Sequence, residues 1–257
     1  FPYNKGGTFR KWFGNNDYVV LWENDGEEIK RKKANDLQEG KITANNSKCW
    51  NEQFYFEQSV TWTKVSALFS ARYSDAGSIF SDASNGLFAG EESGEYLAAL
   101  NSQVSLNLLQ FIAPTLNFQS GDISSLPTPP KPIRVLTKRL ASELIALARR
   151  DWNAYERSWD FRSLPLLSNS SDPTSNIESA YTDWMKQSKC VISDMQRLEK
   201  ENNQLFIDAY GLSEDIAPEV PIEQITLTLN PTYRYTGDLN EEEKWNRFKR
   251  DTMAELL

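Results

Sequence analysis

Residues 126–132 read Leu-Pro-Thr-Pro-Pro-Lys-Pro, and four prolines in seven residues suit neither a helix interior nor a central strand. Each proline fixes its own φ, lacks a backbone N–H and pushes the preceding residue towards extended geometry. The segment therefore reads as a stiff connector. It divides a chain of 257 residues, enough for one or two domains, into 1–130 and 131–257.

The two parts differ in pattern. Before the prolines, short apolar runs alternate with Gly, Asn and Ser. Tyr18 to Trp22 is strand-like and stops at Asn24-Asp25-Gly26, a strong turn signal. Phe54 to Phe56, Val60 to Val65, Phe69 to Tyr73 and Ser78 to Phe80 are further strand candidates. From Glu95 to Ile112 the spacing of Leu97, Leu100, Val104, Leu108 and Phe111 is helical. After the prolines, Leu136, Leu140, Leu144, Leu147, Trp152 and Tyr155 mark a helix. Residues 171–174, Ser-Asp-Pro-Thr, suit an N-cap. A seam follows at Ile177, Tyr181, Trp184, Ser188, Val191, Met195, Leu198, Asn202 and Leu205, in steps of four and three, with two polar positions. Gln224 to Leu229 is β-like and Asn240 to Leu257 is a charged helix. The expected fold is α+β: a β-rich mixed domain at 1–130, then a helical spacer region with an antiparallel helix pair at 131–257.

Composition narrows the function. Histidine is absent, which removes the commonest general base, Ser-His and Cys-His nucleophiles and the usual zinc sites. Cys49 and Cys190 share no metal-site spacing, so no metal site and a reduced, cytoplasmic protein are expected. The chain has neither G-x-G-x-x-G nor a P-loop, and its carboxylates form no nuclease-like motif, so we expect no catalytic residue here. No run approaches about eighteen apolar residues, and no membrane span is expected. The opening, FPYNKGG, shows neither a signal peptide nor an initiator Met, which suggests a piece of a longer protein. Net charge is −8, with 11 Lys+Arg against 15 Asp+Glu in 1–130 and 17 against 21 in the remainder, so each part carries −4. A local basic stripe is still present at Arg10, Lys11, Lys30, Arg31, Lys32, Lys33, Lys41, Lys48, Lys64 and Arg72, and phosphate contacts need only a local positive face. The Lys30–Lys33 run reads equally as a solvated loop.

Five stretches carry a resemblance. KGGTFRKWFGNNDYVVLWENDGEEIK (5–30) resembles the opening of the target-recognition region of the PglX family, the adenine-specific DNA methyltransferases of bacteriophage-exclusion (BREX) systems. VTWTKVSALFSARYSDAGSIF (60–80) is similar to the family's Trp-[ST]-Lys and Phe-Ser-Ala-Arg-Tyr pattern. LNFQSGDISSLPTP (116–129) resembles the motif that closes many restriction-modification specificity domains. DWNAYERSWDF (151–161) and FIDAYGLSEDIAPEVPIEQITL (206–227) resemble the helical region beyond it.

The resemblance implies sequence-specific recognition of double-stranded DNA by a C-terminal specificity part whose catalytic domain precedes Phe1. S-adenosylmethionine is implied for the full-length enzyme and no cofactor for this piece. The glycine-containing cofactor loop and the Asn-Pro-Pro-Tyr-type motif are missing, since Asn230-Pro231 is followed by Thr232. On this reading Lys5, Arg10, Lys11, Lys48, Lys64 and Arg72 lie near DNA and Lys30, Arg31, Lys32 and Lys33 hold phosphates. Arg72 is the first choice as a base reader, because arginine pairs bidentately with guanine. Arg10 and Arg72 read equally as structural ion pairs. Trp12, Phe13, Trp22 and Trp62 are expected in the core. The alternative function is a protein-interaction module that docks other defence subunits or a phage inhibitor that mimics DNA.

Overall fold

The computed structural model describes residues 1–168 and 177–255. In chain order its elements are β1 (Pro2–Asn4), β2 (Tyr18–Val19), α1 (Glu27–Gln38), β3 (Ser59–Thr63), β4 (Ala71–Ser74), β5 (Ile79–Phe80), β6 (Ser84–Leu87), α2 (Ser93–Leu100), α3 (Gln103–Ile112), α4 (Ser120–Ser124), α5 (Arg134–Asn153), α6 (Pro165–Ser168), α7 (Ile177–Tyr210), α8 (Pro231–Arg234) and α9 (Glu241–Ala254). This is the expected α+β fold, with two small three-stranded sheets before the proline run and the long helices after it.

One sheet has the order β2-β1-β5, with β1 antiparallel to β2 and parallel to β5. The other, β4-β3-β6, is antiparallel throughout, with Thr61 opposite Arg72 on one side and Gly86 on the other. Its central strand β3 is buried on both faces: Val60 and Trp62 point into the apolar core, and Trp62 Nε1 donates to the Phe118 carbonyl at 3.0 Å. The segment around Trp12 lies along β4. Trp12 N donates to Ala71 O at 2.9 Å and Tyr73 N to Trp12 O at 2.8 Å.

Helices α5 and α7 run antiparallel. Arg139, early in α5, reaches Glu201, late in α7, while Ala154, just past α5, lines a small cavity with Trp184, early in α7. Along α7 the seam positions Tyr181, Trp184, Ser188, Met195, Leu198 and Asn202 are buried; Ile177, the first of the series, is exposed. The seam's lower part meets more than a partner helix. Asn202 Nδ2 donates to the last turns of α2 at Ala98 O (3.0 Å), and Asn203 Oδ1 accepts from Gln103 N at the start of α3 (3.0 Å). A single apolar cluster draws Trp12, Val60, Trp62 and Leu97 from before the prolines and Leu144, Trp152, Met195, Phe206 and Ile225 from after them. A smaller cluster of Leu166, Tyr181, Trp184, Tyr235 and Phe248 seats α9, whose N-terminus is closed by a reciprocal capping box between Asn240 and Glu243.

Several local expectations are corrected. Phe54 to Phe56 is no strand: a 3-10 turn occupies Glu52–Phe54, between Asn51 (φ 59°) and Phe56 (φ 69°), so the aromatics leave the alternating pattern and cluster. Of Tyr18 to Trp22, Tyr18–Val19 forms the strand and Val20 adds a reciprocal pair of hydrogen bonds with Phe1; Leu21 and Trp22 lie beyond it. Gln224 to Leu229 forms no ladder: the N–H groups of Gln224, Ile225 and Leu227 close local turns onto the Pro221, Ile222 and Ile225 carbonyls, and those of Thr228 and Leu229 are taken by a side chain described below. Glu95 to Ile112 is two helices, broken at Asn101-Ser102, where the Ser102 hydroxyl caps α3 by accepting from Ser105 N at 3.3 Å. Lys30 to Lys33 belong to α1 rather than a loop. The N-cap expected at 171–174 lies outside the described residues. No helix among the described residues is long and apolar enough to cross a membrane.

Candidate nucleic-acid interface

The basic residues singled out in the sequence separate into two groups. Arg10, Lys11 and Arg72 are buried. Arg10 Nη1 meets Asp151 Oδ2 at 3.3 Å, its Nη2 donates to Thr228 Oγ1 at 2.8 Å, and its guanidinium lies over the Trp152 ring. Asp151 also accepts from the backbone N–H groups of Thr228 (2.7 Å) and Leu229 (2.9 Å). The Lys11 ammonium is paired with Glu199, which accepts from Trp12 Nε1 at 2.7 Å as well. Arg72 donates to the Arg10 carbonyl and to Thr63 Oγ1, both at 3.3 Å, and makes no ion pair among the described residues. Burial, then the neighbouring Arg10, lowers its pKa to about 10, which still leaves it charged at neutral pH. Arg10 and Lys11 tie the N-terminal segment to α5, α7 and Thr228, and Arg72 ties it to β3 and β4. As placed, none of the three side chains is exposed, and Arg72, the first choice as base reader, is enclosed between the Arg10 carbonyl and Thr63.

The second group is exposed and lies on and beside α1. Every residue of this helix is at least partly exposed, and its four consecutive cations Lys30, Arg31, Lys32 and Lys33 spread around it. Lys33 Nζ donates to the carbonyls of Asn46 (3.0 Å) and Lys48 (2.9 Å), which fastens the following loop to the helix and brings Lys48 alongside. Lys30 pairs with Glu52 at 2.6 Å, Lys32 with Asp36 at 2.6 Å and Lys41 with Glu39 at 2.5 Å. These are solvent-screened pairs, weak enough to be exchanged for a phosphate. Lys5 lies over the Tyr18 ring, and Lys64 is held by Asp82 at 3.2 Å.

The approach to α1 depends on Asn24, Asp25 and Gly26, all at positive φ. At Gly26 (φ 73°) a Cβ would sit 2.6 Å from the Trp22 ring, so the backbone passes against that indole. An L-residue in the left-handed region costs about 1–2 kcal/mol before any clash. Gly26→Ala is therefore expected to lower unfolding free energy by at least that much in a urea titration; unchanged stability would show that α1 is not anchored here.

Between α1, the 48–56 loop and the strands β1, β5 and β6 lies a cleft of about 690 Å³. Its walls form an aromatic chain: Trp22 meets Tyr55 edge-on at 5.1 Å, Tyr55 meets Phe80 at 5.1 Å, Phe80 meets Phe88 at 5.5 Å, and Phe88 stacks on Phe54 at 4.7 Å. Trp50 stands at the mouth, about half exposed, under the Lys48 ammonium. Burial, then Cys49, Glu52 and Tyr3, raises the Tyr55 hydroxyl to about 12, so it remains a hydrogen-bond donor at neutral pH. Sequence reasoning missed this cleft. Its one local signal is the density of aromatics in Cys-Trp-Asn-Glu-Gln-Phe-Tyr-Phe (49–56); Phe80 and Phe88 join it only through the sheet.

No protein-family model matches the chain. Its sequence is nevertheless homologous to a segment of adenine-specific methyltransferases. It is 38% identical over 224 residues, 85% of its length, to the adenine-specific methyltransferase PglX of Lacticaseibacillus casei (strain Zhang). It is 31% identical over a 266-residue alignment covering all of it to the adenine-specific methyltransferase BrxX of Escherichia coli O9:H4 (strain HS). The chain spans 18% and 20% of those two relatives.

Proposed function

We propose that this chain is the target-recognition segment of an adenine-specific DNA methyltransferase related to PglX and BrxX, and that it contacts duplex DNA through the α1 face. The observation that carries this reading is the concentration of Lys30, Arg31, Lys32 and Lys33 around one exposed helix, with Lys48 fastened beside it, in a chain whose net charge is −8. Phosphate contacts of this kind position a protein on the duplex; base edges are then read by the side chains beside them. Methyl transfer belongs to the remainder of such an enzyme, with S-adenosylmethionine as the donor. The Asn230-Pro231 pair is spent on local structure: Asn230 Oδ1 accepts from Thr232 N at 3.1 Å and Nδ2 donates to Ile222 O and Ile225 O.

The test is fluorescence anisotropy with duplex DNA over a salt series. Binding by this chain alone is expected to be weak and to fall steeply with salt. Replacing Lys30, Arg31, Lys32 and Lys48 by alanine is expected to flatten the slope of log K against log salt by roughly one for each phosphate contact removed, with the far-UV circular dichroism unchanged. A slope unaffected by all four replacements would move the DNA contact elsewhere. Binding of protein partners but not DNA, lost on substitution of exposed positions in 133–210, would favour an interaction module.

A further inference from the structure

We infer that the aromatic cleft under α1 receives an unstacked nucleobase from the DNA on which this segment docks, an inference that rests on the recognition function proposed above. Three observations carry it. First, about 690 Å³ falls within the roughly 300–1,000 Å³ typical of small-ligand sites. Second, ring faces and edges make up most of the apolar wall, beside the aliphatic Val20, Ile29 and Ile79. Trp50 and Phe54 are both partly exposed at the site, and Phe54 already stacks on Phe88 with an interplanar angle of 16°. A base has a π-face whatever its identity, and stacking on aromatic side chains is the general way proteins hold bases outside a duplex. Third, cations stand at the rim. Lys33, hydrogen-bonded to two carbonyl oxygens, and Lys48, over an indole, lie beside the opening where the phosphates flanking an extruded base would pass, and the acidic Asp82 of the lining is paired with Lys64. Inside, the Asn85 and Asn51 side chains lie within reach of a base edge. A polyaliphatic ligand would make use of neither the ring faces nor the rim cations.

The experiment compares two duplexes of identical sequence at one low salt concentration. One carries a single bulged adenine; the other carries an abasic residue at the same bulge. The second has the same backbone irregularity and no base to insert. Wild-type protein is expected to bind the bulged adenine about ten-fold more tightly, the lower end of what one base–aromatic stack supplies. Trp50→Ala and, separately, Phe54→Leu, which keeps the apolar bulk and removes the ring, are expected to abolish that preference while binding the abasic duplex as wild type does. Trp50 is about half exposed, so its replacement is expected to leave the thermal midpoint close to wild type. Equal wild-type affinity for the two duplexes, with salt-dependent binding retained, overturns the cleft inference and leaves duplex recognition standing. A preference that survives both substitutions overturns it too. Absence of binding to either duplex overturns both readings together.

Discussion

Asp151→Ala is expected to destabilise the protein by about 3–5 kcal/mol, the range for removing one partner of a buried ion pair. The Asp151 carboxylate serves three donors at once: the Arg10 guanidinium and the backbone N–H groups of Thr228 and Leu229. Its loss leaves a cation in the interior with Thr228 Oγ1 as its remaining close acceptor, and two peptide donors without their carboxylate. Each such donor costs about 1–3 kcal/mol when water does not reach it. Asp151→Asn tests which part dominates. The two loop N–H groups bond different carboxylate oxygens, so the amide oxygen keeps one of them while the other faces the amide NH2; a loss nearly as large as that of alanine shows that the retained loop bond contributes little, while near-wild-type stability assigns the effect of alanine to it. Denaturant unfolding followed by tryptophan fluorescence gives both values, with an unchanged m-value confirming that the native state remains compact. The exposed Asp160→Ala is the control and is expected to lie within about 0.5 kcal/mol of wild type. An Asp151→Ala loss below about 1 kcal/mol would contradict the geometry of this junction.

The same junction shows what sequence reasoning reached and where it stopped. Patterns set by neighbours a few residues apart were legible: the Asn24-Asp25-Gly26 turn, the buried strand around Val60 and Trp62, the 3.6-residue stripes of α5 and α7, and the capped α9. Trp12, Phe13, Trp22 and Trp62 are in the core, as their size suggested. The fate of Arg10, Lys11 and Arg72 was not legible, because the groups that bury them are remote. Arg10 finds Asp151 and Thr228, at sequence separations of 141 and 218, and Lys11 finds Glu199 at 188. No local period encodes those meetings. Arg72 sits on β4 with the Trp12 segment laid against its edge, so a strand position that would otherwise be open is enclosed. The aromatic cleft was hidden for a related reason. Apolar residues at 54–56 suit a strand by composition, but two positive-φ residues fold the segment back on itself, and its partners Phe80 and Phe88 arrive from the sheet. The exposed cations of α1 were recognised by type, and only the fold showed that Lys33 joins them to Lys48.

The Lys11–Glu199 pair supports the second prediction, in which two substitutions together are expected to cost less than either alone. Both side chains are almost wholly buried, and the pair joins the N-terminal segment to the middle of α7. Taking both charges out of water carries a desolvation cost that their attraction only partly returns, so the pair contributes little net stability while each member depends on the other. Lys11→Met leaves Glu199 charged, with the Trp12 indole N–H as its remaining donor. Glu199→Gln leaves the Lys11 ammonium facing a neutral amide. Each single substitution is expected to cost about 3–5 kcal/mol at the upper end of point-mutant effects. The double substitution removes both charges, keeps an oxygen to accept from Trp12 Nε1 and preserves most of the buried volume, so it is expected to be more stable than either single variant. Complete double-mutant cycles by urea unfolding should therefore return a coupling larger than either single loss, that is more than about 3 kcal/mol. Additive losses would mean that the two groups are independently solvated and that the ion pair does not close. A double variant close to wild type would show that Lys11 and Glu199 hold this part of the fold together chiefly by requiring each other.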